Sequence, residues 1–387
     1  MPHTEPHDTL RRLPRTGPHC RPLTALLAAL LASCLLVLAA CGSPSTAGGG
    51  AASPTASASL GTVSIETFPS TDSAWLEYIA AAKGLFQRNG ITPQYVTAAT
   101  GVQASAGLAS GSMDVAIFDP PSAASLVATG LHITMIAAEI RTHWNLVAGS
   151  GAALPDLSRG FPYSLQDLKG KSIGVLGVGT SSYFFLEALL RAAGMSNSDV
   201  NIVSTGGTLQ ELGGVETGQL AAAIEEPTST YILTKTKGAH IIYSFGHAAA
   251  GVSKYPALAS ITGIPWAGFW SPTSWVTAHP AVVHALQLSF MEADAWAHDP
   301  KNFSALVSLL TPRLPAASPG TQAQIVRYVL PYLESYYTLT EAQTWMNFAL
   351  TYKLISKPIS GKTWLDTSIP SSASAVTRAL SAAGFRA

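Results

Sequence analysis

Between residues 61 and 244, short apolar runs alternate with amphipathic stretches, and most of those stretches close on a glycine. This punctuation constrains the fold more than any other feature of the chain. Strands are expected at 62–68, 92–97, 113–118, 132–139, 144–150, 172–176, 200–204, 220–225 and 240–244. Helices are expected between them at 74–88, 102–109, 122–128, 208–217 and 227–236, with another opening at Thr180-Ser181-Ser182. The first stops at Asn89-Gly90 and the second at Ser110-Gly111, both good C-terminal signals. Strands alternating with helices of about 10–15 residues argue for parallel sheets wound by βαβ units. Two stretches, 256–262 and 275–279, read as extended. Beyond Pro280 the pattern is helical, at 281–297, 303–310, 321–333 and 341–354. At 387 residues the chain is long enough for two lobes.

The stretch 165–195 reads as a turn, a buried strand, a glycine-bearing loop and an amphipathic helix. Gly177-Val178-Gly179 delivers Thr180, Ser181 and Ser182 to the helix start. The first turn of a helix has N–H groups without internal partners and a partly positive dipole end. It therefore suits an anionic or polar ligand group, and small hydroxyl residues can cap it while leaving room. This is the candidate for half of a ligand clamp.

Residues 1–41 read as a targeting segment. Arg11, Arg12, Arg15 and Arg21 precede a continuous apolar run at 23–38, which is short for a membrane span and right for a signal core. The run ends Leu38-Ala39-Ala40-Cys41, which resembles the bacterial lipoprotein signal. That resemblance implies cleavage before Cys41 and lipidation of Cys41; a plain secretory signal or an uncleaved anchor is the alternative. Residues 42–60, rich in Gly, Ala, Ser, Pro and Thr, read as a flexible tether. The three cysteines are Cys20, Cys34 and Cys41, so the body after them has no disulfide, thiolate metal site or cysteine nucleophile. Formal net charge is zero and no basic run occurs, so nothing points to nucleic acid.

Four ordered landmarks carry a resemblance over roughly residues 62–355. They are Ala80-Ala81-Ala82-Lys83-Gly84-Leu85-Phe86, Ala109-Ser110-Gly111-Ser112-Met113-Asp114-Val115-Ala116, Asp167-Leu168-Lys169-Gly170-Lys171-Ser172-Ile173-Gly174-Val175, and Gly218-Gln219-Leu220-Ala221-Ala222-Ala223 followed by Glu226-Pro227. In this order they resemble the substrate-binding proteins of ABC importers, in the branch of aliphatic-sulfonate, taurine, nitrate and thiamine-pyrimidine binders. Ala221 departs from the pattern, where the family often has Asp. The resemblance implies an α/β, two-lobed periplasmic-binding-protein type II fold with two crossover hinge strands. It places lobe one at 61–146 and 262–387, lobe two at 149–257, and the crossovers near 146–149 and 258–262. It also implies a lipid-anchored, extracytoplasmic monomer that uses no cofactor. Its partners would be a small-molecule ligand and permease subunits driven by a cytoplasmic ATPase.

Ligands in open α/β sheets sit beyond the carboxyl ends of strands. Candidates in lobe one are Ser70 and Thr71, then Asp119, which could instead be a helix cap. Trp144, beside His143 before the first crossover, is either a ligand platform or junction packing. Whether Trp75, Trp266 and Trp270 line the cleft stays open. Candidates in lobe two are Thr180, Ser181, Ser182, Thr208, Glu225 and Glu226. One of the two glutamates is expected to face the cleft and the other to serve as surface or cap. The ligand stays open between a sulfonate-like anion and an aminopyrimidine-like heterocycle, because the acidic pair and the scarcity of basic residues oppose an anion.

Other functions fit less well. Gly177-Val178-Gly179 opens like a dinucleotide fingerprint, but Ser182 replaces the third glycine. Residues 179–183 miss the serine-hydrolase elbow at Tyr183. His279 and His284 do not share a helical face, which argues against a metal site. Enzymes on the same fold, resembling sulfinate desulfinases or pyrimidine synthases, rely on cysteines that the body lacks. If Cys41 carries the lipid, Cys41→Ser releases the protein from washed membranes into the soluble fraction. Continued extraction by detergent alone would refute the anchor.

Overall fold

Among the described residues the strands are short, and the chain gathers them into two sheets of the same strand order. The computed structural model describes residues 59–67, 72–98, 101–247, 252–315 and 319–385. Cys41, tether residues 42–58, Ser70 and Thr71 lie outside them.

The first sheet begins with β1 (Gly61–Thr67) and β2 (Ile91–Thr97), which run parallel from Gly61 opposite Ile91 to Thr67 opposite Thr97. Next come β3 (Ala116–Phe118) and β4 (Ile133–Arg141). The second sheet takes β5 (Asn145–Ala148), β6 (Ser172–Val175), β7 (Asn201–Ser204), β8 (Ala222–Glu225) and β9 (His240–Ser244). The chain then returns to the first sheet as β10 (Pro265–Pro272), between β3 and β4 and antiparallel to both. A parallel bridge from Ile65 to Val115 joins β1 to the lead-in of β3, so the first sheet reads β2-β1-β3-β10-β4. The second reads β7-β6-β8-β5-β9, with β5 antiparallel to its neighbours β8 and β9. Each sheet thus holds one reversed strand, next to its edge strand, that enters through the crossing between the sheets. The two-lobed α/β fold with two crossing segments follows from this exchange.

The crossings are tied to one another. The chain leaves β4 at Arg141 and enters β5 at Asn145, just before the expected place, and Leu146 and Val147 already pair within the second sheet. The Thr142 N–H donates to Ile264 O at 2.8 Å, Phe245 N–H to Trp144 O at 2.9 Å, and Gly263 N–H to Phe245 O at 3.0 Å. Arg141 Nε donates to Gly263 O at 2.7 Å.

Three sequence expectations need correction. Both stretches read as extended contain helices, Pro256–Ser260 and Thr273–Ala278, and the strand is β10 between them. Pro256 stands at the helix start, where its fixed φ favours a first turn. The expected helix 74–88 is broken into Trp75–Ala82 and Leu85–Arg88, because Gly84 takes φ 64°. A helix at Ala373–Ala382 extends the helical tail beyond what the pattern signalled.

The landmarks have structural work. Asp114 Oδ2 accepts from the Ser64 N–H at 2.8 Å and the Ser64 hydroxyl at 2.7 Å, fastening the β3 lead-in to β1. Leu85 and Phe86 are buried, and Phe86 meets Phe290 edge-on at 5.6 Å. Gly170 turns at φ 74° and donates to Asp199 O at 2.7 Å, which starts β6 beside β7. Ala221 uses its backbone, donating to Ser172 O at 2.9 Å, so the missing Asp leaves the sheet intact.

Gly268 is the tightest point of β10: an added Cβ would lie 2.3 Å from Ala137 O. Gly268→Ala should lower stability in urea melts by about 1–3 kcal/mol or more, the usual range for overpacking. Gly213→Ala, in helix Thr208–Glu216 with open space around it, should raise it by about 0.5–1 kcal/mol. Equal effects would show that the β10–β4 approach does not set the packing.

Candidate ligand-binding site

The hydroxyl residues after β6 are arranged by their own loop. Gly179 turns at φ 84°, and helix Ser181–Ala192 follows. It ends in a Schellman motif, with Gly194 at φ 74° and Met195 N–H donating to Leu190 O at 2.8 Å. Ser182 is fully buried, and its Oγ accepts from Leu176 N–H at 2.8 Å. The Thr180 hydroxyl donates to Gly177 O at 2.7 Å and lies 3.1 Å from Ser182 Oγ. These two hold the strand-to-helix turn. Ser181 points elsewhere: its hydroxyl donates to Asp119 Oδ2, across from the first sheet.

Asp119 does two jobs. Its Oδ1 accepts from Ser122 N–H at 2.9 Å and caps helix Pro120–Ala128, and its other oxygen takes Ser181. Burial raises its pKa, and the bonds from Ser122 and Ser181 work against that rise. The cap reading of Asp119 therefore holds together with the bridge.

A second bridge lies beside the first. Asp72, fully buried just after β1, accepts the Thr228 N–H at 2.8 Å and the Thr228 hydroxyl. Thr228 is in the first turn of helix Pro227–Thr236. The Ser73 hydroxyl donates to Glu226 Oε1 at 3.2 Å, and Glu226 stands at the N-cap position of that helix. Neither acidic residue of the pair is on the surface: Glu225 and Glu226 are 0% and 1% exposed. Thr208, buried at the start of helix Thr208–Glu216, completes the set of helix starts.

Carboxylates that the sequence reading did not single out gather here. Glu211 and Glu139 are fully buried, and Glu77 is nearly so. Burial, with the added charge of Glu226 and Asp72, pushes Glu225 up to about 8 despite the nearby Ser229 hydroxyl. Burial pushes Glu139 up to about 8, against the pull of the Ala74 and Trp75 amides. Burial and the charges of Glu225 and Glu226 raise Glu211 well above its ordinary value. Asp72 is raised by burial and then by Glu226. Both oxygens of Glu139, Glu211 and Glu225 are buried and none makes a well-formed hydrogen bond; the Ala74 and Trp75 amides near Glu139, the Thr205 hydroxyl near Glu211 and the Ser229 hydroxyl near Glu225 are only loosely placed. Ala74, at the start of helix Trp75–Ala82, holds a positive φ of 72° beside this cluster, a conformation rare for a residue with a Cβ. Arg141 is 3.5 Å from Glu334, on the hinge. The Arg313 guanidinium lies over the Tyr78 ring at 3.2 Å and partly offsets the burial of Glu77.

The hinge supplies an aromatic wall. Trp144 stacks on His143, with centroids 5.6 Å apart and planes at 19°, and meets Trp266 edge-on at 5.6 Å. Phe185 and Phe245 continue the cluster. His143 Nδ1 lies 2.7 Å from Arg141 O, while Nε2 has no partner; burial lowers its pKa to about 4, so the ring is neutral. The indole N–H groups of Trp144 and Trp266 are also buried without a partner. Trp75 and Trp270 are core residues: both are fully buried, and Trp270 Nε1 donates to Phe118 O at 2.8 Å.

Two open hollows, about 500 Å³ along 149–153 and 215–221 and about 650 Å³ along 108–114 and 272–275, are lined by none of these residues. Among the described residues there is no group of three metal-ligating side chains, and no helix is long and apolar enough to cross a membrane.

The raised carboxyl groups fix the sign of the pH dependence. Unfolded carboxyls ionise near 4.5, whereas Glu225 and Glu139 keep their protons to about 8 in the fold. Their stabilising contribution is therefore complete below about pH 4.5 and is lost as pH rises towards 8. Melting temperature should fall between pH 5 and 8.5. Glu225→Gln should flatten that slope, at about 1.4 kcal/mol per unit of pKa shift removed. A slope unchanged by the substitution would remove Glu225 from the buried set.

The family model described as NMT1/THI5 like matches residues 73–262. No curated protein sequence matches the chain. Among solved structures, the alkanesulfonate-binding protein SsuA from Xanthomonas axonopodis pv. citri, bound to MOPS, aligns at 17% identity. Its TM-score is 0.61, over 79% of this chain and 98% of its own. The periplasmic nitrate-binding protein NrtA from Synechocystis PCC 6803 aligns at 14% identity with TM-score 0.62, over 83% and 88%. A Candida albicans protein described as having the generic periplasmic binding protein fold aligns at 12% identity with TM-score 0.58, over 83% and 94%. The chain thus has the periplasmic-binding-protein fold, and its residues 73–262 carry the pattern of the NMT1/THI5-like family.

Proposed function

We propose that the chain is the extracytoplasmic solute-binding component of an ABC importer, holding a small organic solute between its lobes. The observation that carries this reading is the pair of bridges, Ser181 to Asp119 and Thr228 to Asp72. They bring the carboxyl ends of strands from two sheets face to face across a hydrogen-bonded hinge. Ligand contacts drawn from both lobes exist only when the lobes meet, so a ligand favours the closed arrangement. The alkanesulfonate- and nitrate-binding proteins named above use the same fold for small solutes.

In this reading lobe one is 61–146 with 262–387, and lobe two is 149–257. The contact set is Ser70, Thr71, Asp119 and Trp144 from the first lobe and hinge, with Thr180, Ser181, Ser182, Thr208, Glu225 and Glu226 from the second. Lipidated Cys41 tethers a monomer through residues 42–60, and permease subunits with a cytoplasmic ATPase receive the loaded form. The body has no cysteine for desulfinase-like or iron-motif synthase chemistry, so binding without turnover is the favoured reading.

The test is a melting screen against taurine, an alkanesulfonate, nitrate, an aminopyrimidine and small amines, with chromatography for products. At least one compound should raise the melting temperature, shrink the radius of gyration and remain chemically intact. Ser181→Trp should abolish that shift. Conversion of any compound to product, or a shift untouched by Ser181→Trp, would sink the reading.

A further inference from the structure

An anion bound between the lobes needs N–H or cationic donors, and the hydroxyl, amide and guanidinium donors of the facing loops are committed within the protein, which leaves the indole N–H groups of Trp144 and Trp266 at the hinge. The Thr228 N–H, in the first turn of helix Pro227–Thr236, is taken by the Asp72 carboxylate at 2.8 Å. The Ser181 hydroxyl is on Asp119, and the Thr180 hydroxyl is on Gly177 O. Ser182 Oγ serves Leu176 N–H. Arg141 is spent on Gly263 O and Glu334 at the hinge.

Acceptors, by contrast, are in surplus. Glu225 ends β8, the middle strand of the second sheet, with both oxygens buried and without a well-formed hydrogen bond. Glu139, near the end of β4 in the first sheet, is in the same state. Ser229 is fully buried, and its hydroxyl is close enough to Glu225 to oppose the rise of that group. The charges of Glu226 and Asp72 reach Glu225, and that of Glu226 reaches Glu139, so these groups share one locality. The Asp72 charge also acts on Tyr328 and Tyr332, and the Tyr332 ring is 6.1 Å from His143. In the second sheet Glu225 pairs opposite Asn145, the residue after Trp144, so the acidic groups adjoin the aromatic hinge, and aromatic faces attract cations.

We propose that the junction takes a small organic cation, a protonated amine or an amidinium, held by Glu225 and Glu139 beside the Asp72–Glu226 pair and backed by the His143–Trp144 stack. This rests on the solute-binding reading above and names the ligand class for that site. The cation supplies charge and N–H donors to buried acidic oxygens that make no well-formed hydrogen bond within the protein. A sulfonate or nitrate in the same place would face these acids with only the hinge indole N–H groups as free donors.

The experiment uses the mature protein at pH 7.5. Titration calorimetry and melting curves are run with butylammonium, 1,4-diaminobutane and benzamidine against methanesulfonate and nitrate. Binding is expected from at least one of the three cations and from neither anion. Glu225→Gln and Glu139→Gln should each weaken it tenfold or more, while melting at pH 5 stays close to wild type. If a Gln variant fails to fold, Ser229→Ala, which removes only the hydroxyl, should weaken binding about threefold or more. Binding of an anion with no cation bound overturns the cation inference and leaves the receptor reading standing. Cation binding unaffected by these substitutions overturns the assignment of the site. Absence of binding by every probe, with no small molecule retained in native mass spectra of protein from its own host, overturns both.

Discussion

The Asp72 carboxylate on the Thr228 N–H is the interaction on which the rest of the junction depends. It places an acidic group from the first lobe at the partly positive start of a helix in the second, the favourable end for negative charge. The same contact brings Asp72 near Glu226. Two unit charges about 4 Å apart repel by roughly 4 kcal/mol at an effective dielectric near 20. Burial is the main reason that Asp72 and Glu225 are both displaced upward, and the charge of Glu226 adds to it in each case. The Ser181–Asp119 bridge adds a second point of contact, so the lobes meet along a line.

The matching strand orders explain why the acids converge. β10 and β5 each enter the other half's sheet in reverse and hold the following crossing segment close to its partner. β1, β3, β6 and β8 therefore all end towards the junction. Asp72 and Asp119 follow the first two, while Ser181 and Glu225 stand at or after the ends of the others. The hinge must carry this load, and its backbone hydrogen bonds are supplemented by the side chains of Arg141, Thr142, His143 and Asn145.

Much of the fold was legible in the sequence, because its strands are bounded by glycine turns and its helices by capping residues. β10 was not. Residues 265–272 are buried on both faces and bracketed by prolines, so no alternation marks them as a strand. Their partners are also remote: Trp270 bonds to Phe118, 152 residues away. Ser181, Asp119, Glu225 and Glu226 were legible as junction residues because they stand at strand ends. Glu139 was hidden as one acid inside an apolar strand, and Asp72 stands in a short polar stretch with nothing to set it apart. Burial of a carboxylate is a property of the assembled lobes, and no local pattern carries it.

Buried carboxyl groups that keep their protons near neutrality make the junction a store of exchangeable hydrogen ions. A positively charged guest that pairs with the ionised form of Glu225 or Glu139 lowers the pKa of that group and so releases a proton on binding. The heat of loading would then vary with the ionisation enthalpy of the buffer. Capture would also be favoured at a mildly alkaline cell surface and opposed at an acidic one.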